Sequence, residues 1–252
     1  MDYSEKKIQS FIAYKGNEIS HESIIKALQR KFVPFYFVNS EVRDNVIFAK
    51  VGSIKDNGRI GPFYSKWPGT ERTSILTVGG YNYNKLKLAC ECLNCYFRYD
   101  SEAVTNAMYR KYGTGLFKKI SEYMNFCSVI WDEDDNSLVA GVTTPKMLYT
   151  CLYYGYTEHN HEIMFSNDRT LLEPFCVEIK EMPDNTYMKN GELYNFNDEK
   201  IVKEPKPFIT NTNSEEKMDK EPKPFIENTS EYAAVLINSI NRLLLDITDK
   251  SV

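Results

Sequence analysis

The sequence predicts an α+β fold built largely from antiparallel strands. Residues 125–172 contain apolar, β-prone runs separated by short polar turns, which indicates strands joined as hairpins. Helical patterns precede this stretch, and further short strands follow it. The chain of 252 residues contains 18 tyrosines and 14 phenylalanines, and these residue types favour a sheet-rich core.

In the first half of the chain, hydrophobic spacing predicts both strands and helices. Ile24 and Leu28 would share one apolar face of a helix that begins at His21. Ser20 directly precedes this helix and is a candidate N-cap. Residues 55–73 are rich in glycine, proline and charge, and they predict a loop. The other predicted elements are a strand at 8–14, a helix at 21–32, strands at 33–38, 45–51 and 75–78 (the last ended by Gly79-Gly80), and helices at 85–94, 101–112 and 115–123.

The second half begins with residues 125–172, which predict one antiparallel meander of three or four strands. Both parities of 126–131 are apolar, so this strand is expected to be covered on both faces. Strands at 177–182, 187–189 and 193–196 follow, with a turn at Asn190-Gly191.

Residues 197–230 differ from the rest because they are polar and charged and contain E-P-K-P-F-I twice. Two copies are too few for a repeat fold. Residues 231–246 predict a helix with an apolar stripe, which must be buried on this domain, on a second copy or on another chain. We therefore predict a domain at 1–200, a linker at 201–230 and a helix within 231–252.

Composition argues against several classes of function. The net charge of −4 provides no basic surface for nucleic acid, and no apolar run approaches the roughly 20 residues of a membrane span. The polar N-terminus does not resemble a signal peptide, so we expect a cytoplasmic protein. We also expect no cofactor, because Gly79-Gly80 alone is too weak a signal for a phosphate loop that binds ATP.

A metal site is not expected either. Cys90, Cys92 and Cys95 form C-E-C-L-N-C, but structural zinc needs four ligands and no fourth is nearby in the sequence. His159 and His161 are expected in a solvated hairpin tip.

Five segments match motifs of a known family. F-C-S-V-I-W-D at 126–132 is similar to F-A-F-A-L-W-D, and C-L-Y-Y-G-Y-T-E-H at 151–159 to P-L-Y-x-G-Y-D-E-H. I-K-E-M-P-D-N-T-Y-M at 179–188 is similar to I-K-E-F-P-x-x-x-Y-L. Upstream, T-V-G-G-Y-N-Y at 77–83 is similar to N-G-E-I-Y-N-Y, and F-R-Y-D-S-E-A-V at 97–104 to F-x-T-x-S-D-T-E-V. In these motifs the chain resembles the glutaminase half of glutamine-dependent asparagine synthetases over residues 8–200.

The resemblance implies the N-terminal-nucleophile hydrolase fold, an αββα sandwich in which helices cover both outer faces of two antiparallel sheets, plus a C-terminal helix. Residues 231–246 resemble the first helix of the synthetase domain. The ATP-pyrophosphatase motif S-G-G-L-D-S-S, which follows in the family, does not occur in this sequence.

The resemblance also implies that the nucleophile is missing. The family uses an N-terminal cysteine whose own α-amino group handles the proton. Asp2 follows Met1 here, and the family's C-G-I-A-G falls on residues 10–14. Ser10 would serve as a nucleophile only after removal of residues 1–9.

The implied oxyanion hole is missing too, since Thr77, Val78 and Gly79 stand where the family has Asn-Gly-Glu. Threonine has no amide donor, and loss of one oxyanion donor typically costs about 100- to 1000-fold in rate.

Two further positions concern substrate binding. Val51 stands where the family has the arginine that binds the substrate carboxylate. Lys50 is expected on the opposite face of the same strand. Asp100 matches the aspartate that pairs with the substrate α-ammonium group; its alternative role is the N-cap of the helix that begins at Ser101.

These departures favour a non-catalytic glutaminase-like domain that serves as a scaffold or as a subunit of a split synthetase. The partner would be a separate ATP-binding synthetase chain, or a second copy in a homodimer, in contact with 231–246. The alternative is an active amidohydrolase that releases ammonia from glutamine through Ser10 after trimming. A further hypothesis is a module that binds a small molecule in the pocket where the family binds glutamine. We expect Phe11, Tyr14 and Val51 to fill that pocket, which argues against this hypothesis.

Overall fold

The computed structural model describes residues 10–32, 36–53, 61–81, 101–143 and 150–201. Within these ranges the chain forms strands and helices with the following bounds: β1 (Phe11–Lys15), α1 (His21–Phe32), β2 (Tyr36–Arg43), β3 (Val46–Ser53), β4 (Phe63–Lys66), β5 (Ser74–Tyr81), α2 (Ser101–Tyr112), α3 (Leu116–Ser121), β6 (Phe126–Asp132), β7 (Ser137–Val142), β8 (Tyr153–Thr157), β9 (Ile163–Ser166), β10 (Cys176–Glu181), β11 (Thr186–Lys189) and β12 (Glu192–Asn195).

The strands form two antiparallel sheets, which confirms the predicted α+β class. The first sheet has the order β10-β8-β9-β1-β3-β2, and the second has the order β12-β11-β7-β6-β5-β4. One apolar core includes side chains from both sheets, among them Phe11 and Phe48 from the first and Val78 and Trp131 from the second. The two sheets therefore face each other.

Helices cover the outer faces of both sheets. Ile24 and Leu28 of α1 are fully buried against the first sheet, and Ser20 caps α1 by accepting a hydrogen bond from the Ser23 backbone N–H at 3.2 Å. On the second sheet, α2 and α3 bury side chains that include Met108 and Phe117. The described elements thus stack in the order helix, sheet, sheet, helix.

The predicted single meander is wrong. β6 and β7 form a hairpin in the second sheet, whereas β8 and β9 form a hairpin in the first. The chain changes sheet between β7 and β8, because β7 pairs next with β11 and β9 pairs next with β1. Sequence patterns located each hairpin, but they could not show which distant strand would complete each sheet.

Two local predictions also need correction. Residues 55–73 were predicted to be a loop, yet β4 lies within them and pairs with β5 from Phe63↔Thr77 to Lys66↔Ser74. The strand predicted at 75–78 continues through Gly79-Gly80 to Tyr81, because β6 pairs with β5 along its whole length. The helix predicted at 85–94, the linker at 201–230 and the helix at 231–246 lie outside the described residues, apart from Ile201.

Other predictions are confirmed. The helices at 21–32 and 101–112 have their predicted bounds, and the helix predicted at 115–123 begins as a 3₁₀ turn at Gly113–Gly115 before α3. Asn190 and Gly191 both have positive φ, 49° and 85°, as a two-residue turn between β11 and β12 requires. Among the described residues, no helix has the length and apolar character needed to cross a bilayer.

Packing of α3 on the second sheet depends on Phe117 and Gly141. The Phe117 ring stacks with Phe126, Tyr187 and Phe196 at centroid distances of 6.0, 5.5 and 6.1 Å. A Cβ atom at Gly141 would lie 2.3 Å from this ring, so β7 needs a glycine where α3 crosses it. The Phe117 ring therefore fills the space that a side chain at position 141 would otherwise occupy.

We expect Phe117→Ala to lower the free energy of unfolding by about 3–5 kcal/mol, because it leaves a cavity among stacked rings. Urea denaturation followed by circular dichroism measures this change. Val177 is 58% exposed on β10, so Val177→Ala is a matched truncation that should have little effect. Equal changes in the two variants would contradict the packing described for Phe117.

Candidate functional site

The most unusual polar feature of the described interior is a buried ion pair between Lys50 of β3 and Glu102 of α2, here called the interior ion pair. The Lys50 Nζ atom lies 2.5 Å from Glu102 Oε1. The two side chains are 0% and 2% exposed, respectively. The same ammonium group donates a second hydrogen bond, at 2.6 Å, to the carbonyl oxygen of Gly79 in β5. The pair therefore connects the first sheet, the second sheet and the helix outside it.

Strand alternation places Lys50 in this position. Val46 and Phe48 of β3 point into the core between the sheets, whereas Ile47, Ala49 and Val51 pack beneath α1. Lys50 has the parity of Phe48, so its side chain enters the space between the sheets. Lys50 and Val51 thus lie on opposite faces of β3, as predicted, and the structure shows which face is interior.

Glu102 approaches the same point from the first turn of α2. A carboxylate near the N-terminus of a helix is stabilised by the unpaired N–H groups and the helix dipole. Gly61 lies directly against this side chain, since a Cβ atom at Gly61 would be 2.7 Å from Glu102 Cγ and Cδ. Gly61 therefore covers one side of the Glu102 side chain, which is 2% exposed.

Gly79 leaves room for the Tyr81 hydroxyl group and the β6 backbone beside the ion pair. A Cβ atom on Gly79 would lie 2.5 Å from the carbonyl oxygen of Cys127 and 2.6 Å from the Tyr81 hydroxyl group. The Lys50 ammonium group also lies 5.7 Å from the centroid of the Tyr81 ring. A side chain at position 79 would therefore clash with Tyr81 and the β6 backbone, beside the carbonyl that accepts from Lys50.

Thr77 and Val78, the other β5 positions that the resemblance assigns to the oxyanion hole, are buried and packed against neighbouring elements. Thr77 is fully buried and faces α2, where the Asn106 side-chain amide lies 3.4 Å from its hydroxyl group. Val78 points the other way, into the core between the sheets. Both residues lie within a strand that pairs with β6, and Thr77 also pairs with β4. Neither side chain provides an amide donor.

The residues predicted to fill the glutamine pocket implied by the resemblance lie on two different faces of the first sheet. Phe11 occupies the core between the sheets, but Tyr14 and Val51 pack under α1. Val51 therefore faces away from the space where Lys50 lies. Ser10 directly precedes β1 and is 6% exposed, and its carbonyl oxygen accepts a hydrogen bond from the Val51 backbone N–H at 2.8 Å.

Asp100 and the cysteines at 90, 92 and 95 lie outside the described residues. His159 is in the turn between β8 and β9, as predicted, and His161 follows with a φ of 51°. In the ranges that the structure describes, no cluster of three or more His, Cys, Asp or Glu side chains could hold a metal ion.

The Cys127 thiol, which lies close enough to Lys50 and Glu102 to interact with their charges, is poorly suited to nucleophilic chemistry. Cys127 is fully buried on β6, and burial raises the pKa of its thiol to about 12. A thiol must lose its proton to act as a nucleophile, so Cys127 stays protonated at neutral pH. The arrangement around Lys50 can hold charge in place, but it contains no activated nucleophile among the described side chains.

A second polar cluster lies at the other end of β1 and fixes the turn before α1. The Glu162 carboxylate accepts a hydrogen bond from the Tyr14 hydroxyl group and, at 2.9 Å each, from the backbone N–H groups of Asn17 and Glu18. Burial acts to raise the pKa of the Glu162 carboxyl, but these hydrogen bonds outweigh it and lower the pKa. We call this cluster the Glu162 clamp, because its hydrogen bonds hold the backbone of residues 16–19 in place.

Comparisons with known proteins do not assign this site. A scan of the chain against protein-family models finds no match, and a search of curated proteins finds none. The resemblance to asparagine synthetases thus rests on the motifs quoted above.

Removing one member of the interior ion pair should destabilise the fold strongly. Lys50→Met leaves a buried carboxylate and Glu102→Met leaves a buried ammonium group, and each should lower the free energy of unfolding by about 3–5 kcal/mol. The double variant should lose much less than the sum, because no unpaired charge remains. Urea denaturation of all four proteins measures the coupling.

The exposed pair Glu22–Lys26 on α1, which lies at 2.6 Å, is a matched control for this cycle. Its Met variants should show little change and little coupling, because solvent screens the two charges. Additive losses at Lys50 and Glu102 would contradict a direct interaction between them.

The Glu162 clamp should give a measurable acid dependence. The pKa of Glu162 is lower in the folded chain than its unfolded value of about 4.3, so its contribution is complete above that value and is lost as pH falls through the folded pKa. We expect Glu162→Gln to lose less stability than the wild type between about pH 6 and about pH 3. Urea midpoints across this range, with exposed Glu178→Gln as control, measure the difference; parallel curves would refute the clamp.

Proposed function

We propose that this chain is a non-catalytic glutaminase-like domain of the asparagine synthetase type, which serves as a scaffold or as a subunit of a split synthetase. One observation carries the proposal: Lys50 of the interior ion pair lies beside β1, where it is paired with Phe11, and its ammonium group donates to the Gly79 carbonyl of β5. The resemblance assigns the nucleophile to the start of β1 and the oxyanion donors to β5. A buried charge pair beside these two strands favours a structural role over turnover.

The layering of the described elements supports the fold part of this proposal. An N-terminal-nucleophile hydrolase has two facing antiparallel sheets between outer helices, and the described elements have the same order of layers. β1 lies in the middle of the first sheet, between β9 and β3. Ser10, at the position of the family nucleophile, directly precedes this central strand.

The chemistry of the same positions argues against glutamine hydrolysis. In the sequence as given, nine residues precede Ser10, so its nitrogen is part of a peptide bond and cannot act as a base. Thr77 and Val78 provide no side-chain amide for an oxyanion. Val51, at the place of the substrate-binding arginine, packs under α1. The three losses affect the same reaction, and we infer that they act together.

The proposed partner follows from the same resemblance. We propose that the domain acts beside a chain that carries an ATP-binding synthetase half. The apolar stripe predicted at 231–246 is the proposed contact, either with that chain or with a second copy in a homodimer. Such a partner would supply the synthetase chemistry, and this domain would supply binding surface.

The test is glutamate release from glutamine by the purified full chain, with the intact mass recorded on the same sample. We expect no release above buffer, a mass that includes residues 1–9, and no difference between wild type and Ser10→Ala. A glutaminase of known activity, assayed in parallel, shows that the assay would detect turnover.

Release that disappears in Ser10→Ala, together with a mass that lacks nine residues, would overturn the proposal. The chain would then be a serine-dependent amidohydrolase, the alternative derived from the sequence. Release that persists in Ser10→Ala would also overturn it, and would place the nucleophile elsewhere in the chain.

A further inference from the structure

We propose that a groove on the outer face of the first sheet binds a small amphiphilic carboxylate, with Arg30 as the anchor for its negative charge. The groove lies between α1 and the segment after β9, and its volume is about 380 Å³. Small-molecule sites in proteins have volumes of roughly 300–1,000 Å³. This site is separate from the interior ion pair and does not rest on the proposed function.

Apolar side chains form much of the groove surface. Ala27 lies on the α1 side, and Leu171, Pro174 and Phe175 lie on the opposite side. Leu171 is 2% exposed and belongs to the buried cluster beneath α1, so it provides a fixed surface. An aliphatic or aromatic body would lose its contact with water in this groove, and that loss favours binding.

The charged residues that line the groove are all cationic. Lys26, Arg30 and Lys31 line the groove, and no carboxylate residue is among its lining residues. This local charge is opposite in sign to the net charge of the whole chain, which is −4. A basic concavity on an acidic protein attracts anions and does not select for neutral or cationic ligands.

Arg30 is the cation best placed to receive an anion. Lys31 already binds Asp168 and Thr170, and this contact connects the two walls at one end. Lys26 pairs with Glu22, an exposed partner that solvent screens. No carboxylate in the described part of the chain lies within ion-pair distance of the Arg30 guanidinium. Its planar donor arrangement matches a carboxylate, which can accept two parallel hydrogen bonds.

Arg30 also has an alternative, structural role, because it lies in the last turn of α1. A cation there stabilises the unpaired carbonyl groups and the negative end of the helix dipole. That role predicts an effect of Arg30 substitutions on thermal stability but none on ligand affinity. The two roles can therefore be separated by measuring both quantities on the same variants.

The experiment is a fluorescence titration of the full chain with 8-anilinonaphthalene-1-sulfonate, followed by displacement with octanoate and with 1-octanol. We expect saturable binding that octanoate reverses and 1-octanol does not. Arg30→Gln should weaken octanoate about tenfold, because one hydrogen-bonded charge is lost, whereas Arg30→Lys should retain most of the affinity. Ala27→Trp should abolish binding by filling the groove.

Gln29→Trp is the matched control, because Gln29 is exposed on α1 and does not line the groove. It should bind octanoate as the wild type does. If Ala27→Trp fails to fold by circular dichroism, the comparison of Arg30→Gln with Arg30→Lys decides, since Arg30 is exposed.

Several results would overturn the inference. These are the absence of saturable octanoate binding, equal affinity in wild type and Arg30→Gln, or equal competition by 1-octanol. A lower melting temperature of Arg30→Gln with unchanged affinity would leave Arg30 only its role at the helix end.

Discussion

The interior ion pair is the interaction on which the arrangement of layers depends. Lys50 reaches from the first sheet past the Gly79 carbonyl to Glu102, so one ammonium group connects three layers. A buried charge without its partner is far less stable than one that is paired, and the layers must therefore keep the spacing that preserves this contact. Gly61 and Gly79 lie beside the pair: a side chain at position 61 would collide with Glu102, and one at position 79 with Tyr81 and the β6 backbone.

Apolar packing supplies the rest of the stability, and it does so through strand alternation. In β3, residues of one parity fill the core between the sheets and residues of the other parity pack under α1. The same alternation puts Thr77 towards α2 and Val78 into the interior. Positions that the resemblance assigns to chemistry are thus occupied by side chains that stabilise the sandwich. This use of the site is the physical basis for the proposed non-catalytic role.

The two polar features outside that core differ in what they can do. The Glu162 clamp is satisfied by donors from its own chain, and its carboxylate is committed to holding the turn before α1. The groove beside α1 is different, because Arg30 has no carboxylate partner in the described residues and apolar surface lies next to it. A ligand is therefore better placed at the groove than at the interior ion pair, which is closed to solvent.

Local pattern alone determined much of this protein. Apolar spacing located α1 and α2 to the residue, and the turn residues Asn190 and Gly191 located the last hairpin. Tertiary structure decided what depends on distant residues: the sheet to which each hairpin belongs, the pairing that makes β4 a strand, and the side of β3 that is interior. Lys50 could be assigned a face relative to Val51, but not an environment. Its partner Glu102 is 52 residues away in the sequence, and only packing of the layers brings the two charges together.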